Sequence, residues 1–228
     1  MQKLPYFLFC IIFIGQLSSR YLESELLDYI FKPLIMPCLC WLLLASIPKN
    51  LSEQGKVFQK RMLIGFAFSW VGDIALMLEK FNAQLFLVGL STFLLAHICY
   101  ISAFYSSMQT ANAVHFFKRK PYLFLPLVLF GITFYYFLFP NLHSFALPVL
   151  VYVSVICLMA CFALNRKGVA NPQSFRLIFY GALWFMLSDS FIALGKFMFQ
   201  IPLGGLWVMA TYMIAQYLMM KGTVKIEV

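Results

Sequence analysis

The chain has 228 residues, of which 63% are apolar and only 11% are charged. A soluble domain is excluded, because its apolar share would be nearer half and it could not bury so much apolar surface. The net charge of +9 does not predict a nucleic-acid partner, since most of the excess Lys and Arg lies in alternate connections between apolar runs, as membrane topology requires.

Uniformly apolar runs follow one another along the whole chain. A run of about 20 apolar residues crosses the hydrocarbon core, and uniform rather than alternating apolarity indicates helices instead of barrel strands. The short connections often contain Pro, Asn or Gly, where helices are expected to end. The sequence therefore predicts an all-α polytopic bundle, a single integral membrane domain over 1–228 with about eight spans. The predicted spans are roughly 4–17, 30–47, 62–78, 84–105, 122–139, 144–164, 176–194 and 203–220.

Lys and Arg concentrate in every second connection. The connections after the second, fourth and sixth spans hold basic clusters within 49–61, 118–120 and 166–176, and Lys221 and Lys225 follow the last span. Cytoplasmic loops retain Lys and Arg. We therefore expect these connections and both termini to be cytoplasmic, in a bacterial cytoplasmic (inner) membrane.

The first predicted span, 4–17, is short for a membrane crossing. An alternative interpretation is the apolar region of a signal peptide, with the small residues Ser18 and Ser19 near the cleavage site. Cleavage would leave seven spans with the same loop orientation.

Three ionisable residues lie at membrane depth, where such groups are costly and usually mark a functional site. They are Asp73 in the third span, His97 in the fourth and Asp189 in the seventh. At 1.5 Å of rise per residue, the two aspartates lie roughly 18 and 20 Å from the cytoplasmic starts of their helices. Each can simply form a buried hydrogen bond between helices, but two carboxylates at similar depth with a histidine favour a site. Other polar residues expected around them are Tyr100, Ser188, Ser190, Tyr212 and Gln216.

Similar residues follow the two aspartates in the sequence. Each is followed seven and eight residues later by Lys-Phe, and Tyr100 and Gln216 each lie 27 residues after one of them. This spacing predicts two parallel four-helix repeats, about 1–120 and 121–228, whose equivalent positions meet near an internal axis.

Around these residues the chain resembles the YhhN-like lysoplasmalogenase family, from about residue 30 to the C-terminal end. The motifs that carry the resemblance are Lys32-Pro33, Gly72-Asp73, Gly89 with Phe93, Ala96-His97 and Tyr100, Gly181-Ala182, Phe185, Ser188-Asp189, Ala193, Lys196-Phe197, Tyr212 and Ala215-Gln216. The resemblance implies an eight-span hydrolase that cleaves the vinyl ether bond of lysoplasmalogens. The products would be a fatty aldehyde and a glycerophospho-ethanolamine or glycerophospho-choline.

The residues at membrane depth suit this chemistry. An enol ether is cleaved by protonation of carbon followed by water capture of an oxocarbenium-like centre, which needs an acid and a nearby anion or base. Two carboxylates in a low-dielectric site can divide these roles, as in glycoside hydrolysis. We expect Asp73, Asp189 and His97 to be catalytic, without a decision on which aspartate is the acid. The expected substrate-binding residues are Lys32, Tyr100, Ser188, Lys196, Tyr212 and Gln216, although Lys32 and Lys196 can simply snorkel to the interface.

No metal or other cofactor is expected. A catalytic zinc usually has three protein ligands, often several histidines, and His115 and His143 fall in loops on opposite sides. A site of His97 with both aspartates is the remaining metal alternative. The six cysteines all lie inside predicted spans and are expected to be packing residues.

Two other classes of function remain open. Membrane aspartates with a histidine also suit a proton-coupled transporter or lipid flippase, in which parallel repeats occur. A membrane scaffold or lipid sensor would tolerate replacement of either aspartate by Asn. Aldehyde release distinguishes a hydrolase from both.

Overall fold

The computed structural model describes residues 3–48, 50–109 and 116–226, so Lys49, His115 and Val228 lie outside the described residues. Within these ranges the chain is helical and contains no strand, which confirms the predicted all-α bundle. The helices are α1 (Lys3–Tyr21), α2 (Glu25–Phe31), α3 (Ile35–Ser46), α4 (Glu53–Met77), α5 (Gln84–Ser106), α6 (Phe116–Arg119), α7 (Leu125–Leu138), α8 (Ala146–Asn165), α9 (Pro172–Phe197) and α10 (Gly204–Val224).

Six segments of the described chain are long and apolar enough to cross a membrane. They are Leu4–Tyr21, Glu25–Ser46, Gln84–Ser106, Pro121–Asn141, His143–Asn165 and Pro172–Phe197. The second of these joins α2 and α3 through a 3₁₀ turn over Lys32–Leu34, where Pro33 falls in the first turn. These six segments correspond to six of the eight predicted spans.

The other two predicted spans, 62–78 and 203–220, belong to α4 and α10. These helices have 25 and 21 residues, and at about 1.5 Å of rise per residue both are long enough to cross a bilayer. They are not among the six apolar segments, because their polar and charged residues lower their mean hydropathy. Much of that polarity is internal, because Ser69 and Asp73 of α4 and Thr211 and Gln216 of α10 are buried.

Two helices begin earlier than the apolar pattern predicts, because polar caps extend them beyond the apolar runs. The Ser52 hydroxyl accepts a hydrogen bond from the Gly55 amide at 3.1 Å, so α4 begins at Glu53. Asn171 caps α9 by accepting from the amides of Gln173 and Ser174 at 2.9 and 3.3 Å. Such caps satisfy amides that have no partner within the helix.

The most extensive helix pairs are α4 with α5 and α9 with α10. Small residues bring α4 close to α5: a Cβ added at Gly65 would lie 2.3 Å from the Tyr100 ring, and one at Gly72 would lie 2.6 Å from the Phe93 ring. Small residues at helix interfaces allow such close approach in membranes. The aromatic rings of α5 are thereby held against the α4 backbone.

The first helix is part of the bundle. Phe9 of α1 stacks on Tyr217 of α10 with ring centroids 5.2 Å apart, and Lys221 donates to the Tyr6 hydroxyl at 3.1 Å. These contacts attach α1 to α10.

The connections alternate between the two ends of the bundle. At one end Lys80 pairs with Glu25 and Lys196 with Glu79, which joins the α1–α2, α4–α5 and α9–α10 connections. At the other end Gln54 donates to the Gln109 carbonyl, and Arg166 donates to the Ser107 hydroxyl at 2.9 Å. We call these the mixed-charge end and the Lys/Arg-rich end.

Candidate active site

The site is built from residues spaced three or four apart on four helices, a spacing that places both members of a pair on one helix face. All four faces meet inside the bundle. The pairs are Ser69 and Asp73 on α4, His97 and Tyr100 on α5, Phe185 and Asp189 on α9, and Tyr212 and Gln216 on α10.

Asp73 is held by a tyrosine from the last helix. The Tyr212 hydroxyl donates to Asp73 Oδ2 at 2.7 Å, and both residues are only 3% exposed. Buried Lys32 lies in the same region of the bundle, although it forms no ion pair with Asp73. Asp73 is thus a buried carboxylate with one phenol donor.

A closed hydrogen-bond network lies one helical turn from Asp73. Tyr100 donates to Gln216 Oε1 at 3.2 Å, Gln216 Nε2 donates to Ser69 Oγ at 3.1 Å, and the Ser69 and Tyr100 hydroxyls are 3.1 Å apart. All three residues are fully buried. The network holds α4, α5 and α10 together next to Asp73, because separating these helices would leave buried polar groups without hydrogen-bond partners. The Tyr100–Gln216 bond joins two positions that the repeat spacing treats as equivalent, while the repeat itself stays a prediction.

Asp189 has different surroundings. The Tyr152 hydroxyl of α8 donates to Asp189 Oδ2 at 2.5 Å, and His97 Nε2 lies 3.8 Å from the same oxygen, beyond hydrogen-bond distance. His97 is fully buried, and neither ring nitrogen has a hydrogen-bond partner. Its ring instead packs edge-on against Phe185 and Tyr152, with centroids 4.8 and 5.4 Å apart.

Shared aromatic rings connect the two carboxylates. The Phe185 ring contacts both His97 and Tyr212, at centroid distances of 4.8 and 5.6 Å. Phe93 packs edge-on against both Phe185 and Tyr212, at 6.1 and 5.9 Å. Asp73 and Asp189, which the sequence predicts to lie at similar depth, therefore belong to one aromatic-lined cluster.

A narrow apolar cavity of about 60 Å³ lies beside Asp189. Tyr152, Phe93 and Leu76 also line it, and Leu76 follows Asp73 by three residues on α4. An apolar cavity with a few convergent polar groups is the usual form of a small-molecule site. Of the two aspartates at membrane depth, Asp189 lines this cavity and Asp73 does not.

A polar cleft of about 640 Å³ opens at the mixed-charge end, and Leu76 lines it as well as the apolar cavity. Asp28 is fixed there by Arg20 and by Gln16, each at 2.7 Å. Other charged residues of the wall are Glu23, Glu25, Glu79 and Lys80. Both signs of charge are present, as a zwitterionic ligand would require.

A family model described as the YhhN family matches residues 27–223 of the chain. The chain belongs to the YhhN family. Its relatives include the cattle (Bos taurus) and human proteins named lysoplasmalogenase TMEM86A, 34% and 33% identical over 169 residues, which cover 72% of this chain and 65% of each relative. The mouse protein named lysoplasmalogenase TMEM86B is 28% identical over 158 residues, 69% of this chain and 60% of the relative. The chain thus matches slightly less than two thirds of these relatives' length. No solved structure matches it.

In this YhhN protein most of the sequence-predicted residues come together. Tyr212 is hydrogen-bonded to Asp73 and Tyr100 to Gln216, but Ser188 donates to the Val208 carbonyl at 3.0 Å. That bond ties α9 to α10 and occupies the Ser188 proton. Ser190 similarly donates to the Met186 carbonyl at 2.7 Å on its own helix.

The two lysines predicted to bind substrate have separate positions. Lys32 is buried near Asp73, whereas Lys196 forms an ion pair with Glu79 and lies 4.6 Å from the centroid of the Phe86 ring. At the mixed-charge end Lys196 is thus paired with Glu79 and not with Asp73 or Asp189.

Sequence reasoning missed two members of the site. Tyr152 donates to Asp189, and Ser69 closes the Tyr100–Gln216 network. The position of Ser69, four residues before Asp73, is a usable signal of a shared helix face. Tyr152 lies in a largely apolar span, and the position of its phenol at membrane depth is the feature that could have indicated a role in the site.

The alternative metal site does not assemble in the described chain, where no three His, Cys, Asp or Glu side chains converge as metal ligands. His143 begins a 3₁₀ turn at the start of the segment that leads into α8, and it is not part of the carboxylate cluster. The six cysteines are unpaired thiols.

Proposed function

We propose that this protein is a membrane hydrolase that cleaves the vinyl ether bond of lysoplasmalogens. The main supporting observation is that Asp73 and Asp189 each accept a hydrogen bond from a tyrosine within one aromatic cluster, and that Asp189 borders an apolar cavity. The names of the relatives support the same substrate class. The products are a fatty aldehyde and a glycerophospho-ethanolamine or glycerophospho-choline.

The reaction consumes one water. A proton adds to the vinylic carbon farther from the ether oxygen, and the adjacent carbon becomes an oxocarbenium centre. Water adds there to give a hemiacetal, which loses the glycerol oxygen as an alcohol and leaves the aldehyde. The proton released on water addition replaces the proton consumed, so the site needs one group that gives a proton and another that stabilises positive charge.

The surroundings of the two aspartates suggest how they divide these roles. Asp189 borders the cavity, so we assign it the proton transfer to carbon, with Tyr152 fixing its orientation. Asp73 is almost fully buried and accepts a hydrogen bond from Tyr212, so we assign it the negative charge that stabilises the oxocarbenium centre. His97 has both ring nitrogens free of hydrogen bonds and lies near Asp189, which suits orientation of the water.

The polar cleft suits the headgroup of a lysolipid. A glycerophospho-ethanolamine or glycerophospho-choline headgroup is zwitterionic, and the ion pairs of the cleft wall, Arg20 with Asp28 and Lys80 with Glu25, can exchange partners with its ammonium and phosphate groups. Buried Lys32 is proposed to contact the glycerophosphate, while Lys196 is paired with Glu79 of the cleft wall and contributes charge there. Tyr212, Tyr100 and Gln216 hold Asp73 and the helices beneath it, and Ser188 is assigned to helix pairing rather than to substrate.

The test is product analysis with the purified full chain reconstituted in sealed lipid vesicles. Incubation with a 1-alkenyl lysolipid should release free aldehyde, whereas the saturated alkyl-ether analogue should give none because it has no double bond to protonate. In D₂O the aldehyde should carry one deuterium on the carbon next to the carbonyl, with added unlabelled aldehyde as the control for exchange. Activity should survive strong chelators. Transport of the lysolipid without aldehyde release would instead establish a carrier.

A further inference from the structure

A line of apolar cavities runs along the contact between α7 and α8, away from Asp189. The first is the 60 Å³ cavity, and Val153 and Cys157 line both it and a second cavity of about 640 Å³. The second shares Val128, Leu158 and Cys161 with a third of about 470 Å³. We call this line of cavities the α7–α8 seam.

One wall of the seam is weakly attached to the rest of the protein. The segment that contains α7, Pro121–Asn141, is the least buried of the six apolar segments, and α7 packs chiefly on α8 with few contacts to α9. Phe130 and Phe134 of α7 close the first cavity beside Asp189. A modest outward movement of α7 would therefore open that cavity to the bilayer.

The seam is suited in chemistry and size to a single hydrocarbon chain. Its second cavity exposes almost no polar surface, and its volume lies within the range of about 300–1,000 Å³ typical of ligand pockets. A lysolipid has one chain and one polar headgroup. The small cavity shares Leu76 with the polar cleft and shares Val153 and Cys157 with the second cavity of the seam. A lysolipid with its headgroup in the cleft and its chain in the seam would therefore place its vinyl ether beside Asp189.

We propose that the alkenyl chain of the substrate enters sideways from the bilayer between α7 and α8 and occupies the α7–α8 seam during cleavage. The proposal rests on the proposed function, which it deepens by assigning the chain-binding site and the route of entry. Neighbouring bilayer lipids or a second copy of the protein are the alternative occupants. Neither of these occupants would explain why the seam begins beside Asp189.

The structure offers a reversible lock for this seam. A Cβ added at Gly131 of α7 would lie 3.7 Å from Cys157 Cβ of α8 and 2.6 Å from its Sγ. Disulfides have Cβ–Cβ distances of about 3.5–4.5 Å, so only the Cys157 sulfur has to rotate to accept the bond. Gly131→Cys should therefore form a disulfide with native Cys157 on mild oxidation. Oxidised and reduced forms of this one variant can then be compared directly.

With the disulfide formed, cleavage of a long-chain 1-alkenyl lysolipid should fall at least tenfold and recover when reductant is added. The double variant Gly131→Cys, Cys157→Ala is the matched control and should not respond to oxidant. A water-soluble vinyl ether with a two-carbon alkenyl group should be cleaved by both forms, because it does not need the seam. Equal long-chain rates in fully cross-linked and reduced protein would overturn the proposal.

A second measurement keeps this inference separate from the proposed function. The alkyl-ether lysolipid carrying a photoreactive diazirine in its chain should label peptides of 125–138 and 146–165, and the disulfide should suppress that labelling. Labelling confined to other helices would refute the chain site whether or not aldehyde is formed. Labelling of the seam without aldehyde release in any form would contradict the hydrolase function and leave a lipid-binding site there.

Discussion

Tyr212 and Tyr152 each donate one hydrogen bond to one aspartate, yet the two carboxylates differ in access. Asp73 is 3% exposed, whereas the side chain of Asp189 is 11% exposed and borders the apolar cavity. Each phenol donates to one oxygen of its aspartate and fixes the orientation of that carboxyl group, which leaves the second oxygen of Asp189 able to carry a proton.

Replacing either aspartate by Asn should lower aldehyde turnover by at least about a hundredfold, the scale of a lost general acid. The double variant Asp73→Asn, Asp189→Asn should be little slower than the single ones, because groups that act as a unit are non-additive. Steady-state kinetics measure this, and thermal unfolding of each variant verifies that it is folded. Folded Asn variants with near-normal turnover would rule out the two-carboxylate mechanism.

At this scale the sequence predicts which residues gather but not how each is used. Asp73, His97 and Asp189 are visible because ionisable groups are rare at membrane depth. Tyr152 and Ser69 are not distinguishable by type from ordinary packing residues, since their roles depend on which helix faces which. Ser188 shows the converse, because a hydroxyl beside Asp189 in sequence points instead to the α10 backbone.

The pairing of α4 with α5 depends on small residues of α4 that face aromatic rings. The Tyr100 ring leaves no space for a Cβ at Gly65, and Tyr100 also belongs to the buried network with Ser69 and Gln216. Packing and hydrogen bonding are therefore coupled at this position. A change that moves the ring also disturbs the support beneath Asp73.

Gly65→Ala should destabilise the protein by about 1–3 kcal/mol, the usual cost of overpacking a filled core, and should reduce activity by displacing Tyr100. Gly195→Ala on α9 is the matched control, since nothing lies within 4 Å of a Cβ there. The control should be neutral or stabilising by roughly 0.5–1 kcal/mol, because Ala favours helix over Gly. Thermal unfolding in detergent and the aldehyde assay measure both effects. A Gly65→Ala protein as stable and active as the control would show that the ring moves without cost.

Element boundaries follow from competing local signals that hydropathy does not capture. The predicted third span begins at 62, but the cap at Ser52 carries α4 back to Glu53 through a polar first turn. Asn171-Pro172, predicted to end a helix, lies where α9 starts, because Asn caps and Pro fits the first helical position. The apolar pattern gives the existence and order of the helices, while caps give their ends.

For the whole molecule, the two ends of the bundle carry different charge. The mixed-charge end forms ion pairs between separate connections and contains the polar cleft. At the Lys/Arg-rich end, fully buried Arg166 donates to the Ser107 and Ser174 hydroxyls at 2.9 Å. Ser174 in turn donates to the Gly222 carbonyl at 2.8 Å, so α10 ends at this same end.

This asymmetry predicts the orientation of the bundle, because loops rich in Lys and Arg tend to remain in the cytoplasm. Tyr6 of α1 contacts Lys221 of α10, so both described ends of the chain lie at the Lys/Arg-rich end. We therefore expect a reporter fused after Val228 and one inserted near Lys118 to be cytoplasmic, and one inserted at Asn82, in the α4–α5 connection, to be on the opposite side. Each position is tested with two reporters, an enzyme that is active only outside the cytoplasm and a fluorescent protein that is fluorescent only inside it. Either location then gives a positive signal. Export of the Val228 or Lys118 reporter would invert the bundle and place the polar cleft in the cytoplasm.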